Sequence, residues 1–290
     1  IIPLPWRHRL TFLGSYAESK ADVPPPFDLK GRSWQTSARY DIPLPALGDY
    51  HHNFQFGFDF KQSNNNLEFG GANVFNTTTD ISQWLAGYSA SAADPWGKTS
   101  FGITGYYGPG RWTSRSNAVN YRAARAFAKP EYAYATFNAE RLTRLPWDFA
   151  WALRGLWQIA DGNLLNSEQL GLGGSSTVRG YDEREANGDE GYLFSNELRT
   201  PPVSLGKVFG LTRATDELQF LGFWDYGSTY NKQLLPGENP HTQLSGVGPG
   251  VRYRINSWLS VRFDYGFQLM DRPLDPRREN RGHLAVLLSY

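Results

Sequence analysis

Residues 148–160 read Asp-Phe-Ala-Trp-Ala-Leu-Arg-Gly-Leu-Trp-Gln-Ile-Ala, and this stretch decides the fold class. Every second residue from Phe149 to Ile159 is apolar or glycine, whereas the alternate positions include Arg154 and Gln158. A period of two places successive side chains on opposite faces of a strand. The stretch therefore predicts a β-strand with one apolar face and one mostly polar face.

The same alternation recurs along the whole chain. The predicted strands cover residues 6–17, 34–43, 51–62, 80–93, 97–107, 132–143, 148–160, 191–199, 217–229, 247–255, 258–269 and 283–290. Their polar faces carry charged side chains, among them Asp59, Asp225 and Asp264. A membrane barrel has lipid outside and water inside, which suits both faces. The pattern favours an all-β fold, a transmembrane antiparallel β-barrel of the outer-membrane type with about 12 strands, over the alternative of a soluble all-β fold.

Composition narrows the function classes. The chain has 290 residues, of which 15% are aromatic, and its formal net charge is +1. No apolar run approaches the roughly 18 residues of a membrane-spanning helix. Basic and acidic residues are interspersed, so no patch could neutralise many phosphates, and nucleic acid is not expected as a partner. The absence of cysteine suits an envelope protein whose sheet closes without disulfides.

The predicted connections alternate between short and long. Outer-membrane barrels have short periplasmic turns and long extracellular loops. Tryptophans lie beside the short turns, where an indole ring prefers the headgroup level of a membrane, at Trp6, Trp96, Trp147 and Trp258. The long links are predicted over residues 18–33, 63–79, 108–131, 161–190, 230–246 and 270–282. The link over 200–216 departs from this pattern, because it is long on the short-turn side.

A glycine-rich segment, Gly171-Leu-Gly-Gly-Ser-Ser-Thr-Val-Arg-Gly-Tyr181, has one arginine at its apex. Glycines permit a tight hairpin tip, and the guanidinium of Arg179 can bind a carboxylate through two hydrogen bonds. Asp225 on a later predicted strand is a candidate partner, since its parity points it inward together with Phe223. The segment lacks the Gly-Lys-Ser/Thr ending of a phosphate-binding loop.

Two motifs carry a resemblance to a known family. They comprise Gly173-Gly174, Val178-Arg179-Gly180-Tyr181, Glu183, Gly188-Asp189, Gly191, Ser195-Asn196-Glu197-Leu198-Arg199 and Pro201, followed by Phe223-Trp224-Asp225-Tyr226-Gly227. With them the chain resembles the two-partner secretion transporters, the haemolysin secretion/activation family of ShlB, FhaC and HecB. The likeness is clearest from 148 to 290. The end of the chain, with its alternating apolar residues and terminal Tyr290, also resembles the signal that marks bacterial barrels for insertion.

The resemblance implies a domain organisation. Members have 16 strands preceded by two periplasmic (POTRA) domains, so residues 1–290 are expected to be the C-terminal part of the barrel, without those domains and the first four strands. Residues 161–190 are expected to form a long extracellular loop that folds into the lumen. There, Arg179 is expected to pair with Asp225, and Glu197, which is also inward by parity, is a second acceptor.

The resemblance also implies the function. We expect an outer-membrane pore that moves an unfolded exoprotein from the periplasm to the cell surface, with outer-membrane lipid and the secreted exoprotein as partners. The alternatives are an assembly factor that inserts other outer-membrane proteins, and a structural barrel subunit whose barrel other chains complete. No catalytic arrangement, metal site or cofactor is expected.

Overall fold

The fold is one large antiparallel sheet in which strands follow the order of the sequence. The computed structural model describes residues 2–4, 6–21, 27–69, 72–208, 210, 215–271 and 278–289. The sheet contains β1 (Ile2–Pro3), β2 (Arg9–Ala21), β3 (Phe27–Pro43), β4 (Tyr50–Phe69), β5 (Ala72–Asp94), β6 (Gly97–Pro109), β7 (Glu131–Arg144), β8 (Ala150–Ala160), β11 (Glu190–Arg199), β12 (Asp216–Tyr230), β13 (His241–Ile255), β14 (Leu259–Gln268) and β15 (Arg281–Leu288). Each of the twelve predicted strands is present. The two-residue β1 is an addition, and so is a separate two-stranded sheet of β9 (Leu170–Leu172) and β10 (Ala186–Gly188).

Two predicted loops are wrong. Most of 18–33 and 63–79 is strand, because β2 pairs with β3 as far as Ala21 opposite Leu29, and β4 pairs with β5 as far as Phe69 opposite Ala72. Residues 22–26 and 70–71 of these links lie outside the described part of the chain. A membrane crossing needs only about 9–11 residues, so the 20 residues of β4 extend beyond the bilayer. Outside lipid a strand needs no apolar face, and alternation disappears from the sequence.

The two faces of the sheet differ as the alternation predicts. On the outer face Trp84, Phe220 and Trp224 are about half exposed. On the inner face Asp59 and Asp225 are buried. The predicted orientation of Phe223 and Asp225, opposite to Phe220 and Trp224, is therefore confirmed. The exposed outer face is apolar, as a lipid-facing surface must be.

Turns and short helices complete the described structure. Helix α1 (Ala118–Ala124) begins after Asn117, whose Oδ1 accepts hydrogen bonds from the backbone N–H groups of Val119 (2.9 Å) and Asn120 (3.0 Å). A 3-10 turn at Pro146–Asp148 joins β7 to β8, and helix α2 covers Leu205–Val208. No helix within the described ranges is long and apolar enough to cross a membrane.

Several predicted features are only partly described. Residues 209 and 211–214 of the long link over 200–216, residues 272–277 of the predicted loop 270–282, and Tyr290 lie outside the described residues. The described strands show no pairing between β1 and β15, the two ends of the sheet order. The described wall is therefore an open sheet of twelve long strands.

Candidate functional site

The long connection between β8 and β11, residues 161–189, folds back across the inner face of the sheet. We call it the inserted loop. Within it β9 (Leu170–Leu172) and β10 (Ala186–Gly188) form a two-stranded antiparallel ladder. The ladder brings the ends of the glycine-rich segment together, so that the segment projects from it as a hairpin tip.

A hydrophobic cluster fixes the inserted loop to the wall. Its members, all buried, are Leu170, Leu172, Val178, Tyr181 and Ala186 from the loop with Leu193 and Leu244 from the wall. Burial of one such aliphatic or aromatic side chain contributes roughly 1.5–3 kcal/mol. The alternation along the strands predicts a mainly polar inner face and does not predict this cluster. Leu156, which the alternation places on the polar face, packs against it.

Arg179 lies at the bottom of the tip, 1% exposed. Its Nε donates to Oδ2 of Asp225 (2.7 Å) and its Nη2 donates to Oδ1 of Asp225 (2.8 Å). Its Nη1 donates to Oε1 of Glu197 (2.6 Å). The backbone N–H of Arg179 also donates to Oδ2 of Asp225 (3.1 Å). The structure thus brings together the three charged residues that the sequence singles out, in the two-pronged geometry that guanidinium groups form with carboxylates.

Three further contacts at Arg179 were not predicted from the sequence. The guanidinium carbon lies 3.6 Å from the centre of the Phe223 ring, a cation–π contact. Oδ1 of Asp264 lies 3.5 Å from Nη1, and the hydroxyl of Ser195 accepts from Nη2 (3.3 Å). The strand parity of Phe223 could have revealed the first, since it shares a face with Asp225.

This geometry explains the residues of the second motif, Phe223-Trp224-Asp225-Tyr226-Gly227. On β12, Phe223, Asp225 and Gly227 alternate, so all three face the inserted loop. Phe223 contacts the guanidinium from its ring face, and Asp225 accepts its hydrogen bonds. A Cβ at Gly227 would lie 2.7 Å from Cδ1 of Leu172, so only glycine leaves room for the β9 side chain above it.

The surroundings of Arg179 stabilise its positively charged form. Burial by itself lowers the pKa of this guanidinium, but the hydrogen bonds and charge of Asp225, with the charges of Glu197 and Asp264, outweigh burial and raise the pKa above its ordinary value. Arg179 is therefore positively charged at neutral pH.

The glycines of the tip accommodate its backbone. Gly173, Gly174 and Gly180 have φ angles of 105°, 96° and 99°, in the region that side chains disfavour. A Cβ at Gly173 would lie 2.3 Å from the carbonyl oxygen of Asp182, across the hairpin. Substitution at this position would therefore add a clash to the backbone strain.

The neighbouring strands hold the tip backbone directly. The N–H of Gly180 donates to Nε2 of His283 on β15 (3.1 Å), and Nε2 of Gln268 donates to the carbonyl oxygen of Gly180 (2.7 Å). The hydroxyl of Tyr181 donates to the carbonyl oxygen of Met270 (2.8 Å). The tip is thus hydrogen-bonded to the last two strands as well as to β12.

Gly266 on β14 is a test of this close packing. A Cβ at Gly266 would lie 2.4 Å from the backbone nitrogen of Gly180. We expect Gly266→Ala to displace the tip, so that protease added to intact cells cleaves the inserted loop several times faster. Gly222→Ala is the matched control, because a Cβ at Gly222 meets no atom within 4 Å. Equal cleavage in both variants and the parent would contradict the described seat of the tip.

A second buried ion pair lies at the outer end of the inserted loop. Asp189, which is fully buried, accepts hydrogen bonds from both Nη atoms of Arg125, the second at 3.0 Å. It also accepts from the backbone N–H groups of Leu164 (2.8 Å) and Lys232 (2.9 Å). Asp189 therefore joins the loop over 110–130, the inserted loop and the loop over 231–240. We call this arrangement the outer clasp.

Among the described residues no group of three or more histidine, aspartate or glutamate side chains could hold a metal ion. Acidic side chains of the inserted loop are instead paired separately, among them Asp189 with Arg125, Asp182 with Arg281, and Glu183 with the N–H of Ser175. The described contacts hold the inserted loop against the inner face of the sheet.

Sequence comparison identifies the protein family in which this arrangement occurs. Residues 3–253 match the family described as haemolysin secretion/activation protein ShlB/FhaC/HecB. The chain belongs to this family. This membership confirms the resemblance found in the two motifs. The members of the ShlB/FhaC/HecB family are outer-membrane barrel transporters and not enzymes.

Individual proteins are similar to this chain in sequence or in fold. The heme/hemopexin transporter protein HuxB of Haemophilus influenzae strain 86-028NP is 26% identical over 200 residues, covering 67% of this chain and 32% of HuxB. CdiB from Escherichia coli superposes with a TM-score of 0.81 at 16% identity, covering 98% of this chain and 51% of that chain. BamA from Haemophilus ducreyi lacking POTRA domains 1–3 gives a TM-score of 0.57 at 10% identity, over 96% and 62%. This chain thus spans a third of HuxB and half of CdiB, and the solved structures show that it shares the outer-membrane barrel fold.

Proposed function

We propose that this chain is the barrel portion of a two-partner secretion transporter, which moves an unfolded exoprotein from the periplasm to the cell surface. The observation that carries the proposal is the seat of Arg179 in a family member. A buried guanidinium held by Asp225 and Glu197 fixes the inserted loop in the passage that an exoprotein would use.

The inner face supports passage of an extended chain. Charged residues line it beside the tip, with Arg199 paired to Glu197 (2.6 Å) and Arg252 paired to Asp264 (2.8 Å). Such paired side chains form hydrogen bonds with a passing backbone without offering an apolar surface on which a chain would stick. Folding of the exoprotein outside the cell would give the movement its direction.

Arginines also hold the tip from below. Nη2 of Arg262 donates to the carbonyl oxygen of Ser175 (3.0 Å), and Nη2 of Arg154 donates to the carbonyl oxygen of Ser176. An extended exoprotein presents the same carbonyl acceptors as the tip. These two arginines can therefore exchange the tip for the substrate backbone without leaving a donor unpaired, which suits a loop that yields during transport.

The test uses the full-length gene. Its deletion should remove one large protein from the culture medium, and re-expression should restore that protein. Proteins of the culture medium and of the outer membrane are quantified by mass spectrometry in the deletion strain, the parent and the complemented strain.

The same measurement separates the alternatives. Loss of several outer-membrane proteins, with the medium unchanged, would identify an assembly factor and contradict the proposal. No change in either fraction would favour a structural barrel subunit. The BamA likeness concerns the fold alone, and no contact in the described residues favours assembly over secretion.

A further inference from the structure

The loop over 110–130, between β6 and β7, has an unusual charge. It contains five basic residues and no acidic one: Arg111, Arg115, Arg122, Arg125 and Lys129. The chain as a whole has 29 basic and 28 acidic residues, so this concentration is local. We call this segment the basic loop.

The basic loop lies against an unpaired strand edge. β5 pairs with β6 only from Trp84 onward, which leaves the preceding half of β5 without a strand on that side among the described residues. The loop contacts this edge through its side chains: Nδ2 of Asn120 donates to the carbonyl oxygen of Thr78 (3.2 Å), and the hydroxyl of Tyr121 donates to that of Asp80 (3.2 Å). Covering an exposed edge in this way is a general need of β-proteins.

The loop reaches both faces of the wall from this edge. Tyr121 is buried in a cluster on the inner side with Ile81. Trp112 lies on the outer side, where its ring stacks on Phe58 (5.1 Å between ring centres) and meets Trp84 edge-on (6.1 Å). Trp112 remains 53% exposed. A tryptophan on the outer aromatic surface of a membrane barrel marks the level of the lipid headgroups.

Several basic side chains of the same loop are exposed. Arg125 is used in the outer clasp, and Arg111 is 86% exposed at 3.6 Å from a carboxylate oxygen of Glu131. Arg115 and Arg122 are exposed. No carboxylate among the described residues lies within ion-pairing distance of them. Arginine forks bind phosphate through two hydrogen bonds.

We propose that the basic loop binds the phosphate groups of a phosphorylated glycolipid in the outer leaflet. Two independent observations support this occupant. The charge of the loop is complementary to phosphate, and Trp112 places the loop at the outer surface of the wall, where lipid lies. Basic residues beside a membrane-facing aromatic are the general composition of a surface that binds anionic lipid. This binding is separate from exoprotein transport.

The experiment measures binding of fluorescent diphosphoryl lipid A to the full-length protein in detergent micelles by anisotropy. The variant is Arg111→Gln/Arg115→Gln/Arg122→Gln. The matched control is Arg7→Gln/Arg144→Gln/Arg254→Gln, which removes the same charge from exposed arginines at the short-turn rim. Heat-modified migration on a gel verifies that each barrel is folded.

We expect the loop variant to weaken binding by about 10-fold to 100-fold and the control to change it by less than about twofold. Trp112→Ala should weaken binding by a smaller factor. Equal losses in the loop variant and the control would overturn the proposal, because net charge alone would then explain binding. Displacement of the lipid by an equal concentration of inorganic phosphate, or equally tight binding of a short single-stranded DNA, would also overturn it.

Discussion

Replacing Arg179 with alanine is expected to lower exoprotein secretion by at least about tenfold while the barrel still inserts. The substitution leaves Asp225 and Glu197 buried without their cation. Removing one member of a buried ion pair costs about 3–5 kcal/mol, and a loss of that size would release the tip from the wall. Secretion is measured as exoprotein in the medium relative to the amount of transporter in the outer membrane.

The controls separate charge from geometry. Arg179→Lys keeps the charge but loses the two-pronged hydrogen bond to Asp225, so we expect an intermediate loss of secretion. Arg254→Gln is the neutral control, since its ion pair with Glu217 is exposed on both sides and such pairs contribute little. Normal secretion by Arg179→Ala at normal transporter levels would remove the seated tip from the mechanism.

Replacing Asp189 with alanine is expected to open the outer end of the barrel. The substitution removes the acceptor that joins Arg125, the N–H of Leu164 and the N–H of Lys232. Three loops then lose their common partner, and Arg125 is left partly buried without its carboxylate. In planar bilayers, we expect the full-length variant to spend at least about tenfold more time than the parent in the open, conducting state. The reason is the cost of breaking a buried ion pair.

Glu190→Ala is the matched control for the outer clasp. Glu190 is the next residue, and its ion pair with Lys232 is about one-third exposed on each side, so its loss should cost at most about 1 kcal/mol. Both variants should insert equally. If Asp189→Ala conducts like Glu190→Ala, the clasp does not close the outer end.

The strands were predictable because one rule governs them. Each crossing must present apolar side chains to lipid and may present polar ones inward, so alternation survives in the sequence wherever the chain is in the membrane. That rule also predicted the inward face for Asp225 and Glu197. It failed over 18–33 and 63–79, where the paired strands continue beyond the bilayer and lipid no longer imposes apolar residues.

The site was predictable only in part, for a different physical reason. The family motifs indicated Arg179, Asp225 and Glu197, but spacing along the chain does not reveal which strands approach the tip from the far side. The contacts of Asp264 and His283 with the tip were therefore not predicted. The packing of Leu172 and Val178 against the wall was not predicted either, because a loop that builds its own apolar contact with the wall has no periodicity.

The long hairpin of β4 and β5 has a consequence for the mouth of the barrel. β4 has 20 residues and β14, on the other side of the described wall, has 10. At about 3.3 Å of rise per residue, the difference is roughly 30 Å along the strand direction. The described strands are consequently taller on the β4 flank than on the β14 flank, and under the proposed function an emerging exoprotein would have more free space to fold toward the β14 flank.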